Sequence, residues 1–279
     1  MAFLRQQADL AIYHIATRAI FEQDTQKLLE HHYLEGLEAY LQKVHPGPQD
    51  IDPFPSSSFL GPVPELYTLV YQITLLARKT PLGIFEMAQA QAHFKRIIEI
   101  KALFDATSFL HFAGKGVANP FLAEDCTPRL YMLALEIMLT KIMKPETTAA
   151  NLDIQNRVHE AYSLLSRRSF IFAHDTETHG DMSYHLSEPL CWPLLVIGAA
   201  VLRTEHRDAF EKVLEDLWYI SYNGFVRRVS AILKMVWSAD GGRVGNLEAT
   251  DSSMANNQVI DHPDSSIGFD VLLRQNGLS

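Results

Sequence analysis

Residues 190–237 read LCWPLLVIGAAVLRTEHRDAFEKVLEDLWYISYNGFVRRVSAILKMVW. From Leu190 to Leu202 the run is apolar, with Trp192-Pro193 near its start and Gly198 inside it. Two amphipathic patterns follow. Phe210, Val213, Leu214, Leu217 and Trp218 recur at i, i+3, i+4, i+7 and i+8. After Asn223-Gly224, Phe225, Val229, Ile232, Leu233, Val236 and Trp237 nearly repeat that spacing. Such recurrence lays one apolar stripe along a helix, so the stretch predicts successive helices packed on a common core. Pro193 suits a first helical turn. A glycine inside a helix costs about 1 kcal/mol against alanine, so Gly198 marks a place where another helix comes close. Trp192, Trp218 and Trp237 are large apolar side chains and are expected as packing anchors.

Working outward, strand signals are scarce and helical periodicity is common. Leu4, Ala8, Ala11, Ile12, Ile15 and Ala19 fall on one face over residues 3–21, and Leu28, Leu29, Tyr33, Leu37, Tyr40, Leu41 and Val44 continue over 24–44. These two predicted helices are close enough in sequence to pair. Residues 45–62 (HPGPQDIDPFPSSSFLGP) hold five prolines, which restrict φ and remove donors, so this is a loop or linker. Pro64 opens the next predicted helix, with Leu66, Leu69, Val70, Ile73, Leu76 and Ala77 on its inner face and Arg78-Lys79 in its last turn. A long helix is expected from about Phe85 to Phe112. Residues 128–143 (PRLYMLALEIMLTKIM) are apolar nearly all round, as in a helix at the middle of a bundle. A further helix over 146–170 would take Thr147 or Thr148 as its N-cap. The expected fold is all-α, a multi-helix bundle or layered helical domain over residues 1–238. Residues 239–279 differ: rich in Gly, Ser, Asn and Asp, they cannot bury enough apolar surface to offset ordering entropy, and they read as a disordered acidic tail. No internal repeat is visible.

Composition bounds the rest. A chain of 279 residues makes one large domain or two small ones, and 47% apolar with 20% charged residues is ordinary for a globular protein. The net charge of −9 leaves no basic footprint on the scale of the whole chain. The two cysteines, Cys126 and Cys191, lie far apart with no CxxC, so neither a disulfide framework nor a cysteine-rich zinc site is expected. No secretory signal is evident. The longest apolar run falls short of the roughly 18 residues of a spanning helix. Nucleus or cytoplasm is the expected location.

Candidate chemistry is thin. His174-Asp175-Thr176-Glu177-Thr178-His179-Gly180-Asp181, with His185 beyond, carries carboxylates and imidazoles that suit a divalent cation. Its spacing matches neither an HExxH helix nor a calcium loop, and it is read as a solvated inter-helix loop. His31 and Glu35 share a helical face at i, i+4, as ordinary stabilising pairs do. Glu124-Asp125 suit a helix N-terminus. Arg167-Arg168, Arg227-Arg228 and Lys234 do not form a nucleic-acid stripe. Gly241-Gly242 with Gly245 precedes no predicted helix, and no phosphate-loop, dinucleotide or nucleophile-elbow motif occurs. No catalytic, cofactor-binding or metal-binding residue is assigned, and no cofactor is expected. In the tail, Phe269, Leu272 and Leu273 with Asp264 and Asp270 form an acidic-hydrophobic motif of a kind that can fold on a groove.

Two blocks carry a family resemblance: Phe59–Leu82 (FLGPVPELYTLVYQITLLARKTPL), in which a proline-rich approach and a Leu-Gly turn lead into a Pro-Glu-Leu helix, and Cys191–Trp237, in which Trp192-Pro193-Leu194 opens a helix, Gly198 permits close packing, Arg207 leads the next and Trp237 closes the domain. In that order and separation they resemble the helical regulatory region of fungal-specific transcription factors, which usually follows a zinc binuclear cluster. The resemblance covers roughly residues 1–238. It implies control of transcription, protein partners including a homodimer, and a small-molecule effector held between helices. The cluster needs six cysteines. The chain therefore reads as a regulator's body without its DNA-reading head, and direct nucleic-acid binding is not expected. It could be a product lacking the head, a separate co-regulator, an incomplete gene, or a domain turned to another job. Two other readings compete. One is an all-helical enzyme of secondary metabolism, terpene-cyclase-like, in which Asp175, Glu177 and Asp181 would replace the missing DDxxD. The other is a non-catalytic scaffold with an exposed apolar patch.

Overall fold

A computed structural model describes residues 2–20, 63, 65–115, 123–174 and 183–244, with side chains at 11–20, 63, 65–106, 126–166, 189–219 and 221–238. Every described element is helical: α1 (Ala2–Ala19), α2 (Glu65–Ala77), α3 (Ile84–Lys115), α4 (Ala123–Met143), α5 (Leu152–His174), α6 (Ser183–Ala199), α7 (Thr204–Ser221) and α8 (Gly224–Val244). The all-α expectation therefore holds for these residues. The helix expected over 24–44, the proline-rich 45–62 and the tail beyond Val244 lie outside the described residues. Among the described residues, no helix is long and apolar enough to cross a membrane. They divide into two compact units between Pro145 and Glu146.

In the first unit α2 packs on α1, α3 and α4, and α3 packs on α4. The predicted face of α2 is buried, and so are Tyr67, Thr68, Tyr71 and Thr74 on its other sides, which makes α2 a central helix. Helix α4 was expected to be apolar all round, and Leu130 through Leu139 are all buried. A buried hydroxyl needs a partner. Thr17, Thr74 and Thr140 donate to the carbonyls of Tyr13, Val70 and Glu136, four residues back, at 2.7–2.8 Å. Two arginines tie the unit at its margins. Arg96 forks onto Glu65 at 2.7 and 2.8 Å, and Arg78 donates to the carbonyl of Ala19 at the end of α1, 2.9 Å away. Arg78 was expected in the last turn of its own helix. That helix stops at Ala77, and Arg78 satisfies an orphan carbonyl of another helix instead.

In the second unit α6 packs on α5, α7 and α8, and α7 packs on α5 and α8. Two predicted starts are corrected. Pro128 and Pro193 do not open helices: both lie inside them, as does Pro189. Each proline removes one internal hydrogen bond, yet α4 and α6 continue helical through them, with the runs that follow, Leu130–Leu139 and Leu190–Leu195, buried. The N-cap of α5 is Asn151, not Thr147 or Thr148: its Oδ1 accepts the amide of Asp153 at 2.9 Å. At the far end, α8 runs past Ser238 to Val244, so Gly241-Gly242 belongs to its last turns.

Candidate functional site

The features singled out in the opening stretch meet at one place in the second unit. A Cβ built on Gly198 would stand 2.6 Å from Cδ1 of Leu233 and 3.0 Å from its Cδ2, so α8 approaches α6 at a distance only glycine allows. One turn further on, the indole N–H of Trp237 donates to the carbonyl of Gly198 at 2.9 Å. The guanidinium of Arg207 lies 5.9 Å from the Trp237 ring centroid and its Nε donates to the carbonyl of Val201 at 3.2 Å. Gln155 on α5 donates to the carbonyls of Ala149 and Ala200, at 2.7 and 2.9 Å, closing the end of α6. Gly198, Arg207 and Trp237, three separate marks in the sequence, form one clasp. Its role is packing, as expected for Gly198 and Trp237.

Trp192 is wholly buried, but Trp218 is only half-buried, which corrects its expected place in the core. Leu217 takes the inward position, and Trp218 falls at the rim of the stripe. There Arg227 lies over its ring, 3.9 Å from the centroid, and Tyr222 meets it edge-on at 5.7 Å. Tyr222 caps α7 with φ 48° and ψ 27°, its N–H bonded to the carbonyl of Trp218 at 2.8 Å. This left-handed conformation costs a side-chain-bearing residue roughly 1–2 kcal/mol and usually falls to Gly or Asn. Tyr219 and Tyr222 are 69% and 68% exposed, so an aromatic shelf with an arginine beside it stands at the α7–α8 turn.

A second aromatic group was not foreseen. His206 on α7 is buried and stacks on Tyr162 of α5, with centroids 4.3 Å apart and planes at 28°. His159 completes the group at 5.8 Å from His206. Burial holds the His206 imidazole below its usual range, Arg203 and His159 push the same way, and Glu205 opposes them. The ring is therefore neutral at pH 7. The i, i+3 spacing of His159 and Tyr162 was the one sequence signal available. In the first unit, Tyr13, Tyr67 and Tyr131 gather with centroid separations of 5.7 and 5.0 Å, and burial pushes the Tyr67 phenol well above its usual range. The buried carboxylate of Glu136 has Lys101 at 3.9 Å.

The acidic loop Asp175–Asp181 and the side chains of His174 and His185 lie outside the described residues, as do His31, Glu35 and the side chains of Glu124, Asp125, Arg167 and Arg168. The backbones of Glu124 and Asp125 lie in the first turn of α4. Arg227 and Arg228 are exposed, and Lys234 pairs with Glu211 across α7 and α8. Among the described residues, no group of three His, Cys, Asp or Glu is placed to hold a metal ion.

No curated protein and no solved structure matches the chain. One family model does, that of the fungal specific transcription factor domain, over residues 11–247. That span takes in the α2 block and the whole clasp of α6, α7 and α8, and the chain belongs to the fungal specific transcription factor domain family.

Proposed function

We propose that this chain is the regulatory body of a transcriptional control protein, acting in the nucleus through protein partners or a small-molecule effector rather than by reading DNA through a zinc cluster of its own. The family match over residues 11–247 carries the reading, and membership in a transcription-factor family points away from catalysis. Three features of the chain support it. Its two cysteines are too few for a six-thiolate cluster, and Cys191 is buried beside Trp192. The net charge of −9 opposes DNA rather than attracting it. The exposed Trp218–Tyr222–Arg227 group is built of the residue types that most often anchor protein interfaces.

The test has two parts. The purified chain, incubated with a pool of DNA sequences in a gel assay, should give no site-specific shift that survives physiological salt; such a shift would overturn the account of DNA. Fused to an unrelated DNA-binding module at a reporter promoter, the chain should change transcription several-fold relative to the module alone. No change would remove the regulatory role.

A further inference from the structure

Among the described residues, four of the eight large apolar side chains that stand exposed lie on α3: Ile84 at 95%, Phe85 at 70%, Ile98 at 46% and Leu103 at 43%. Between Ile84 and Ala106 thirteen residues are exposed, and eight of them are apolar. The inner side of the helix is already used: Ala90, Ile97, Ile100 and Phe104 are buried, and α3 packs on α2 and α4. A helix that meets water on its outer side ordinarily fills that side with charged and polar residues. Here the charges at its middle are Lys95 and Glu99, whose side chains are exposed and lie 3.9 Å apart. Ala88, Ala92, Ala102 and Ala106 flank them and are exposed too. A continuous apolar face of this kind marks an interaction surface.

We propose that this face pairs with the same face of a second copy, α3 against α3, antiparallel about a two-fold axis at the level of residue 97. Charge and shape together choose that occupant. An interface between identical copies must complement itself. In the antiparallel register, residues at equal distances on either side of the axis come level, which sets Lys95 against Glu99 of the second copy and Glu99 against Lys95 of the second copy. A parallel pair would set lysine on lysine. Lys95 and Glu99 already pair on their own helix, and Arg96 donates to Glu99 at 3.3 Å. The Lys95–Glu99 contact is longer than a hydrogen bond, and the dimer adds a second carboxylate to each lysine rather than drawing on an unpaired charge. The same register brings Ala92 level with Ala102 of the second copy and Ala88 level with Ala106 of the second copy. Small residues facing small residues let the helices come close, and Ile98 meets Ile98 of the second copy beside the axis. From Ile84 to Ala106 the helix runs roughly 34 Å and is about 10–12 Å across. Pairing along that length covers roughly 400 Å² of each copy in plan, against about 800 Å² per partner in a standard stable interface. The dimer is therefore reversible, with a dissociation constant on the order of 10 µM or weaker. It rests on α3 alone and does not depend on the regulatory reading.

Sedimentation of the full-length chain from about 1 to about 300 µM at physiological salt tests the proposal. The measured mass should climb toward that of two chains. Ile98→Asp should hold it at one chain while leaving the melting temperature of the dilute protein unchanged, which separates loss of the interface from loss of the fold. Mixing tests the register. Lys95→Glu places carboxylates on both sides of each contact and Glu99→Lys places ammonium groups there, so each variant alone should dimerise about tenfold more weakly. In an equal mixture every contact between the two variants is again between opposite charges, and the heterodimer should form within about threefold of the wild-type affinity. Whatever each substitution does to its own helix persists in the mixture, so recovery on mixing reports the contact between copies. A single-chain mass at every concentration would overturn the proposal, as would an Ile98→Asp chain that still dimerises or a mixture that dimerises no better than its components. A thiol introduced by Ala92→Cys should label fast in the dilute chain and more slowly as the dimer forms. Equally slow labelling at all concentrations would assign the face to a segment of the same chain and end the proposal.

Discussion

Gly198, Leu233 and Trp237 are tied so closely that each is a separate test of the clasp. Gly198→Ala adds a methyl group where Leu233 already stands, 2.6 Å from the new atom. Alanine's better helix propensity returns about 1 kcal/mol, and overpacking a filled core costs about 1–3 kcal/mol. The net effect should be a loss of roughly 1 kcal/mol in urea unfolding. Adding Leu233→Val should cost less in the Gly198→Ala background than in the wild type, the signature of two residues in contact. Trp237→Phe keeps the ring but removes the bond to the Gly198 carbonyl, and should cost about 1–2 kcal/mol. Equal stability of the phenylalanine variant would show that the indole N–H matters little there. At this scale the sequence was readable for Gly198 and Trp237, because a glycine within an apolar run and a tryptophan at a stripe's end have few other uses. Trp218 was not readable. Its neighbour Leu217 sits one position away on the same stripe, and spacing alone does not say which of two adjacent apolar residues turns inward.

Helix ends and faces are decided by local competition. Asn151 caps α5 because its short side chain reaches the Asp153 amide; Asn151→Ala should lower stability by about 1 kcal/mol, whereas Thr147→Ala and Thr148→Ala should each cost less. Helix α7 docks on α5 through His206, which supplies a pH test. The folded imidazole is held below its usual range by burial, while the unfolded one takes a proton near pH 6.5. The unfolded state therefore binds more protons between the lowered value and about 6.5, so stability is full above that range and falls as pH drops through it. The melting temperature should decline between pH 7 and 5, and His206→Phe should flatten part of that decline. His93 on α3, also held down by burial, shifts stability in the same direction and should account for part of the remaining slope. If the slope is the same in His206→Phe, the ring is not titrating on unfolding. The stripe on α8 was legible only to within one residue: Val226, Val229, Leu233 and Val236 are buried, while Phe225 and Ile232 sit at the margin. A period of 3.6 residues leaves the facing direction to the neighbours.

At the scale of the molecule, each unit has its own buried helix, α2 and α4 in one and α6 in the other. Truncation after Val244 should retain the helical circular dichroism and a cooperative melt within a few degrees of the full chain. Aggregation of the shortened protein would mean that part of residues 245–279 belongs to a core.

The sequence by itself determined the helical class, the inner helices and the family, since apolar period, continuous apolar runs and the order of the two marked blocks are properties of the chain alone. It also left the shelf's ingredients visible as an arginine, a tryptophan and two tyrosines. Tertiary structure alone decided that Pro128, Pro189 and Pro193 lie within helices, because burial of the apolar runs that follow them outweighs the lost backbone bonds. It decided that Arg78 caps a helix fifty-nine residues away, that His206 stacks on Tyr162, and that Trp218 faces outward beneath Arg227. Each of these depends on which surfaces meet, and a one-dimensional pattern holds the period of a helix but not the identity of the helix it turns to face.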